Sequence, residues 1–242
     1  MIFKDTKEMS SELIDILDSI RCLPKISCSS CGTLYRGEQV DFVCDKCFEK
    51  EANAREEKKR KDYQIQTLLN LSNIPKRYKR AVFKAKTNMQ NEVLHYFVEN
   101  FSQTVLDKSS DVLLFGAIGT GKTYLSCAFA IELIHKKQKK IKYITEYDLL
   151  SLYFEKEYQT FKKFKVCEIL ILDEIGKRVL ADWQRIQLEE LLSHRYNEKL
   201  PTIYISNLEQ KAFKEFLGSR LADRLKENKL QRFAFNGESL RA

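Results

Sequence analysis

The chain has 242 residues, 43% of them hydrophobic, and a formal net charge of +8, which suits one large domain or a modest domain with a small appendage. No run of about 18 apolar residues occurs, which excludes a membrane-spanning helix of ordinary length. The opening stretch, Met1 to Leu17, carries acids early and lacks an apolar signal core, so a cytoplasmic setting is expected. The basic balance permits contact with nucleic acid without requiring it.

Ser10 to Ile20 places Leu13, Ile16, Leu17 and Ile20 at helical spacing behind a Ser10 cap and predicts a first helix. Seven cysteines follow along the chain, at 22, 28, 31, 44, 47, 127 and 167. The odd count, the two Cys-x-x-Cys pairs and the missing export signal favour metal binding over disulfides. Cys28 with Cys31 and Cys44 with Cys47 can each chelate one edge of a tetrahedral zinc, and Gly32 permits a tight turn after the first pair. Four thiolates leave no open position, so the expected site is structural. A module this small needs the metal for its folding energy. Cys22 is a poor fifth ligand, and Cys127 and Cys167 read as small core residues. Residues 1–48 are thus expected to form a helix and a zinc module.

Glu49 to Asp62 reads EKEANAREEKKRKD, almost without apolar residues, and predicts a stiff solvated helix. The expected linker covers 49–72. From 73 to 242 the pattern is globular, with apolar strands at Asp111–Phe115, Ile141–Ile144, Ile169–Asp173, Thr202–Ser206 and Gln231–Phe235. Helices are predicted at Lys122–Lys137, Glu146–Tyr158 and Trp183–Glu198, with one or two more in Leu208–Leu225. Continuous apolar strands separated by helices predict an α/β fold, a parallel sheet covered on both faces.

Gly116-Ala117-Ile118-Gly119-Thr120-Gly121-Lys122-Thr123 matches G-x-x-x-x-G-K-[ST] in full, between a predicted strand and a predicted helix. Such a loop turns backbone N–H groups toward phosphate oxygens, and the helix behind it adds its positive end. These eight residues and the adjoining Tyr124 form the expected nucleotide-contact set. Lys122 should neutralise the β- and γ-phosphates, and the Thr123 hydroxyl should ligate magnesium. The strand Ile169–Leu172 ends in Asp173-Glu174 at the same sheet edge. Asp173 is expected to hold the magnesium through water and Glu174 to act as general base on the attacking water.

The phosphate loop, the strand ending in Asp-Glu and the later strand Thr202–Ser206 followed by Asn207 together resemble the AAA+ ATPases. That resemblance implies a role for Asn207 in positioning the attacking water. LILDEIG at 170–176, HRYNEKLPTIYISNL at 194–208, SRLADRL at 219–225 and FNGESLR at 235–241 look like the DnaC/DnaI helicase loaders and the IstB transposition ATPases. The likeness covers about residues 73–242. It implies that Arg220 or Arg224 is an arginine finger reaching a neighbouring subunit's γ-phosphate, and hence self-assembly, and it places Arg241 loosely at the sensor-2 position. The four-cysteine module resembles the helicase-docking region of DnaI-type and phage-type loaders. No DNA-binding domain of the DnaA initiator type is expected after the core.

The resemblance implies a loader of a hexameric replicative DNA helicase that uses ATP, magnesium and zinc and also holds single-stranded DNA. An IstB-like regulator of transposition on duplex DNA is the alternative, and a nucleotide hydrolase without a partner is a third. Two basic stretches are candidate DNA surfaces: Lys136–Lys142, and Lys156–Lys165 with Tyr158, Phe161 and Phe164. In the second, the aromatics either stack on bases or face the sheet. Lys76–Lys86 is a further basic patch, and Trp183 reads as a helix-packing residue.

Overall fold

A computed structural model describes residues 23–36, 43–101, 111–228 and 230–240. The predicted helix Ser10–Ile20 and Cys22 lie outside these residues. The chain divides into two compact units, Met1–Tyr63 and Gln64–Ala242.

In the first unit, β1 (Lys25–Ser27) pairs antiparallel with β2 (Leu34–Arg36), Ile26 opposite Tyr35. The turn between them holds Cys28 and Cys31 and is closed by the Gly32 N–H on the Cys28 carbonyl at 2.8 Å. Helix α1 (Asp45–Leu71) begins directly after Cys44 and carries Cys47 in its first turn. The charged run is helical, but its helix starts inside the cysteine module rather than after it. None of its residues is buried, and i,i+4 pairs such as Glu57 with Lys61 at 2.7 Å line its surface.

The second unit is built on a five-stranded sheet of order β4-β5-β6-β3-β7, in which every pairing is parallel. Its strands are β3 (Val112–Gly116), β4 (Ile141–Thr145), β5 (Ile169–Ile175), β6 (Thr202–Ser206) and β7 (Gln231–Phe235). Successive side chains point to opposite faces, and both faces are covered. Val112, Leu114, Ile169, Ile171, Ile203 and Ile205 join one core with α3 (Lys122–Lys137) and α2 (Asn88–Phe101). Leu113, Phe115, Leu170, Leu172 and Tyr204 join the other. That second face is covered by α4 (Glu146–Phe154), α5 (Tyr158–Val166), α6 (Asp182–Asn197), α7 (Gln210–Leu217) and α8 (Ser219–Glu227). The expected α/β fold with a doubly covered parallel sheet is the one observed.

Two details differ from expectation, and a third decides between the one or two helices expected in Leu208–Leu225. The helix predicted over Glu146–Tyr158 is two helices, because Lys156 turns left-handed at φ 62° and Tyr158 opens α5. The segment Leu208–Leu225 divides at Gly218, whose φ of 79° and ψ of 162° lie in a region open essentially to glycine alone. Helix α2 had no expected counterpart; it is capped by the Thr87 hydroxyl on the Gln90 N–H and buries Val93 and Phe97.

Arg195, in the HRYNEKLP segment, is buried at the sheet's amino-terminal edge. Its Nε donates to Thr202 Oγ1 at 2.9 Å, one Nη to the Pro201 carbonyl at 2.7 Å and the other to the Cys167 carbonyl at 2.9 Å. Removing Arg195 would leave these buried acceptors unsatisfied, at about 1–3 kcal/mol each. Nearby, Asp111 Oδ1 accepts the Thr202 N–H at 2.7 Å. These bonds hold the strands in register, so their carboxyl ends open together at the opposite edge.

Candidate nucleotide site and cysteine cluster

Because the sheet is parallel, the loop after β3, the acids ending β5 and the residues after β6 meet at one edge. The phosphate loop runs from Gly116 to the start of α3. Gly116 has φ 110°, and a Cβ there would stand 2.7 Å from the Phe235 carbonyl oxygen, so only glycine fits between the loop and β7. Lys122 is buried, and its Nζ donates to the Gly116 carbonyl at 2.8 Å and the Ala117 carbonyl at 2.6 Å. The ammonium is thereby held inside the loop's mouth. Ile118 is exposed on the rim, and the Thr120 hydroxyl donates to the Ala117 carbonyl at 2.9 Å. Tyr124 belongs to the wall: its hydroxyl accepts the Val82 N–H at 3.0 Å, and Tyr78 meets it edge-on with ring centroids 6.5 Å apart.

Thr123 Oγ1 donates to Asp173 Oδ2 at 2.8 Å. The Tyr143 hydroxyl donates to the same oxygen at 2.8 Å, and the Glu174 N–H donates to Oδ1 at 2.7 Å. Burial pushes the Asp173 carboxyl above its ordinary value, and the bonds from Tyr143, Thr123 and the Glu174 N–H oppose that rise. Burial also pushes the Tyr143 phenol up, so it stays a donor. A hydroxyl and a carboxylate converging in this way are hard oxygen donors that fit magnesium.

Glu174 has φ 58° and breaks the β5–β6 register between Leu172 and Ile175. This bulge turns its side chain out of the sheet, where both carboxylate oxygens meet Lys177 Nζ at 3.0 and 3.1 Å. The bulge is held on both sides. Buried Glu146 Oε2 accepts the Gly176 N–H at 2.9 Å, and the Ser206 hydroxyl donates to the Ile175 carbonyl at 2.7 Å. Burial raises the Glu146 carboxyl, opposed by the Gly176 N–H and the Arg178 charge. Asn207 follows β6 and is exposed at the same edge.

The two arginines lie against α6. Arg220 is exposed, 3.5 Å from Glu189. Arg224 donates to the Ser193 hydroxyl and lies over the Tyr196 ring, 5.5 Å from its centroid. Arg241 lies outside the described residues. Gln90, Tyr143, Glu146 and Lys177 have no place in the sequence reading; each is a single polar residue in a segment without a motif.

Phe161 and Phe164, two of the three aromatics weighed for base stacking, are buried in the core, so only Tyr158 of that trio faces solvent. Trp183 packs on Tyr153 and Phe154, with ring centroids at 6.3 and 6.0 Å, as the packing reading expects.

In the first unit, the sulfurs of Cys28, Cys31, Cys44 and Cys47 all lie within 4.8 Å of one another, and those of Cys31 and Cys44 are 3.8 Å apart. A tetrahedral zinc with bonds of about 2.3 Å needs sulfurs roughly 3.8 Å apart, so the four thiols fit one zinc. The Cys44 N–H, 3.4 Å from Cys28 Sγ, holds that thiol down to about 6. Cys47 is pushed up to about 12, first by its bonds to Cys31 and Cys44. Crowded thiols that share protons unequally are the chemistry a divalent cation relieves. Cys127 and Cys167 are buried in the second unit, as expected of core residues. Among the described residues no helix is long and apolar enough to cross a membrane.

A family profile described as IstB-like ATP binding protein matches residues 41–242. The replicative helicase loader DnaC of Escherichia coli K12 is 25% identical over 153 residues, 60% of this chain and 60% of the relative. The loader DnaI of Bacillus subtilis is 31% identical over 117 residues, 46% of this chain and 37% of the relative. The match thus spans less than two thirds of the length of each of these relatives. The crystal structure of the DnaC helicase loader superposes with a TM-score of 0.60 at 24% identity, covering 67% of this chain and all of that one. That likeness shows a shared core fold, and the profile match shows an IstB-like ATP-binding protein. The chain therefore belongs to the IstB-like ATP-binding proteins and is similar to the loaders DnaC and DnaI.

Proposed function

We propose that this protein is an ATP-switched loader of a hexameric replicative DNA helicase. The observation that carries the reading is the pairing, in one chain, of a phosphate loop backed by Asp173 and Glu174 with a separate four-cysteine module able to hold zinc. In this reading Lys122, with the N–H groups of Gly116–Thr123, binds the triphosphate, and Tyr124 supports the wall beside it. Thr123 and Asp173 hold magnesium, which when bound neutralises charge on the phosphate oxygens. Glu174 takes the proton of the attacking water, and Asn207 orients that water.

Arg220 is the better finger of the two arginines, since Arg224 is already committed to Ser193 and Tyr196 of its own chain. A finger supplied by a second copy would make turnover depend on assembly, and basal hydrolysis would be slow. Cys28, Cys31, Cys44 and Cys47 hold a structural zinc, and their module grips the helicase. Single-stranded DNA would lie along the exposed aromatics of α4, α5 and α6. Phe154, Tyr158 and Trp183 are exposed there, Arg178 stands 4.0 Å over the Tyr147 ring, and lysines flank them.

The test is a pull-down of purified replicative helicase by the zinc-loaded full chain with and without ATP. Nucleotide-dependent capture of the hexamer, lost when Cys44 and Cys47 are both changed to serine, is the expected result. Failure to bind helicase, together with ATP-dependent assembly on duplex DNA, would instead favour a regulator of transposition, the reading that the IstB-like profile keeps open.

A further inference from the structure

Three groups outside the phosphate loop hold its peptides in place. Gln90, buried on α2, donates from Nε2 to the Thr120 carbonyl at 3.0 Å, while its Oε1 accepts the Lys86 N–H at 2.7 Å. The side-chain amide is thus fixed at both ends. On the other flank the chain leaving β7 folds back over the loop. The Phe235 carbonyl accepts the Ala117 N–H at 2.8 Å, and the Leu240 N–H donates to the Gly119 carbonyl at 2.9 Å. The fit is close: a Cβ on Gly119 would run into Ser239, and one on Gly121 would stand 2.6 Å from Gln90 Nε2.

A trans peptide points its carbonyl and the next N–H in opposite directions, and no cis peptide is present among the described residues. Holding the Gly119 carbonyl outward on Leu240 therefore aims the Thr120 N–H inward. Holding the Thr120 carbonyl outward on Gln90 aims the Gly121 N–H inward. Successive inward N–H groups are what an anion-binding loop is made of. We infer that Gln90 and the Ser239–Leu240 strap are positioning groups for the nucleotide phosphates. They preset two of the loop's N–H donors before nucleotide arrives, and the strap ties phosphate affinity to the docking of the chain after β7. The inference rests on the nucleotide-site reading above.

The test measures affinity of the full chain for magnesium-ATP and magnesium-ADP by a fluorescent-analogue competition assay, alongside thermal midpoints without nucleotide. Gln90→Leu removes the amide bonds at similar volume, and Leu240→Pro removes one backbone N–H at the edge of the fold. Leu240→Ala serves as its partner because it keeps that N–H, and Lys122→Ala reports on the site itself. Each lost bond should weaken both nucleotides by about fivefold, the scale of one neutral hydrogen bond. Leu240→Pro should lose that much more than Leu240→Ala, at an unchanged thermal midpoint. If Gln90→Leu fails to fold, the two Leu240 variants decide the matter. If Lys122→Ala loses nucleotide while Gln90→Leu binds as the parent does and the Leu240 variants do not differ, the inference is overturned and the site reading stands. If the parent itself binds no nucleotide, both fall.

Discussion

Asp173 and Glu174 are neighbours in sequence, yet the fold gives them opposite surroundings. Asp173 is buried under three donors, while Glu174 is turned out by a left-handed bulge toward solvent and Lys177. That division suits the proposed roles of a buried ligand beside a solvent-facing base. Glu174→Gln, which keeps the shape and removes the proton acceptor, should lower ATP turnover by about 100-fold or more while ATP still binds. Hydrolysis by this variant at the parental rate would remove Glu174 from that role. The sequence announced these acids because two carboxylates ending an apolar strand form a pattern. Gln90 and Tyr143 form none: each reaches the site through a hydrogen bond whose partner lies 30 residues away.

At the other sheet edge, burial raises the Asp111 carboxyl from 3.8 to about 6, opposed by the Thr202 N–H bond. The folded chain therefore binds more protons than the unfolded chain across that window, and this group's contribution to stability falls as pH rises through it. Asp111→Asn cannot ionise and keeps an acceptor for Thr202. Its stability relative to the parent should rise by on the order of 2 kcal/mol between about pH 4 and pH 7, measured by urea unfolding. A difference that stays constant with pH would refute the assignment.

Among the elements, strands and the longer helices were legible because apolar runs and helical periods report burial directly. The breaks were not. Lys156 and Gly218 end helices through left-handed or extended backbone that depends on what α4, α5, α7 and α8 pack against. Helix α2 was illegible for a related reason: its buried face is short and its most consequential residue is polar. The cysteine hairpin was legible in its ligands, since spacing alone brings two pairs to one ion, although α1 begins inside the module rather than beyond it. If zinc supplies the folding energy of that module, the purified chain should carry about one zinc. Chelation should then strip hydrogen-exchange protection from residues 23–36 and 43–48 and leave the sheet of the second unit protected. A chain without zinc, or exchange unchanged by chelation, would make the four thiols an accident of packing.

In the second unit, the order of strands gathers the nucleotide-binding candidates at one edge, while Arg220 and Arg224 on α8 contact Glu189, Ser193 and Tyr196 of α6. In the function proposed above, that edge would be one half of a site completed by a second copy, with ATP acting as a signal between copies and partners rather than as fuel for steady turnover. All else in that account requires that the phosphate loop bind nucleotide. Titration calorimetry of magnesium-ATP into the full chain and its Lys122→Ala variant measures this. The account predicts saturable binding of one nucleotide per chain, weakened by about 100-fold in the variant, the scale of losing charge-assisted bonds to phosphate. Absence of binding by the parent, or equal binding by a folded Lys122→Ala variant, would contradict it.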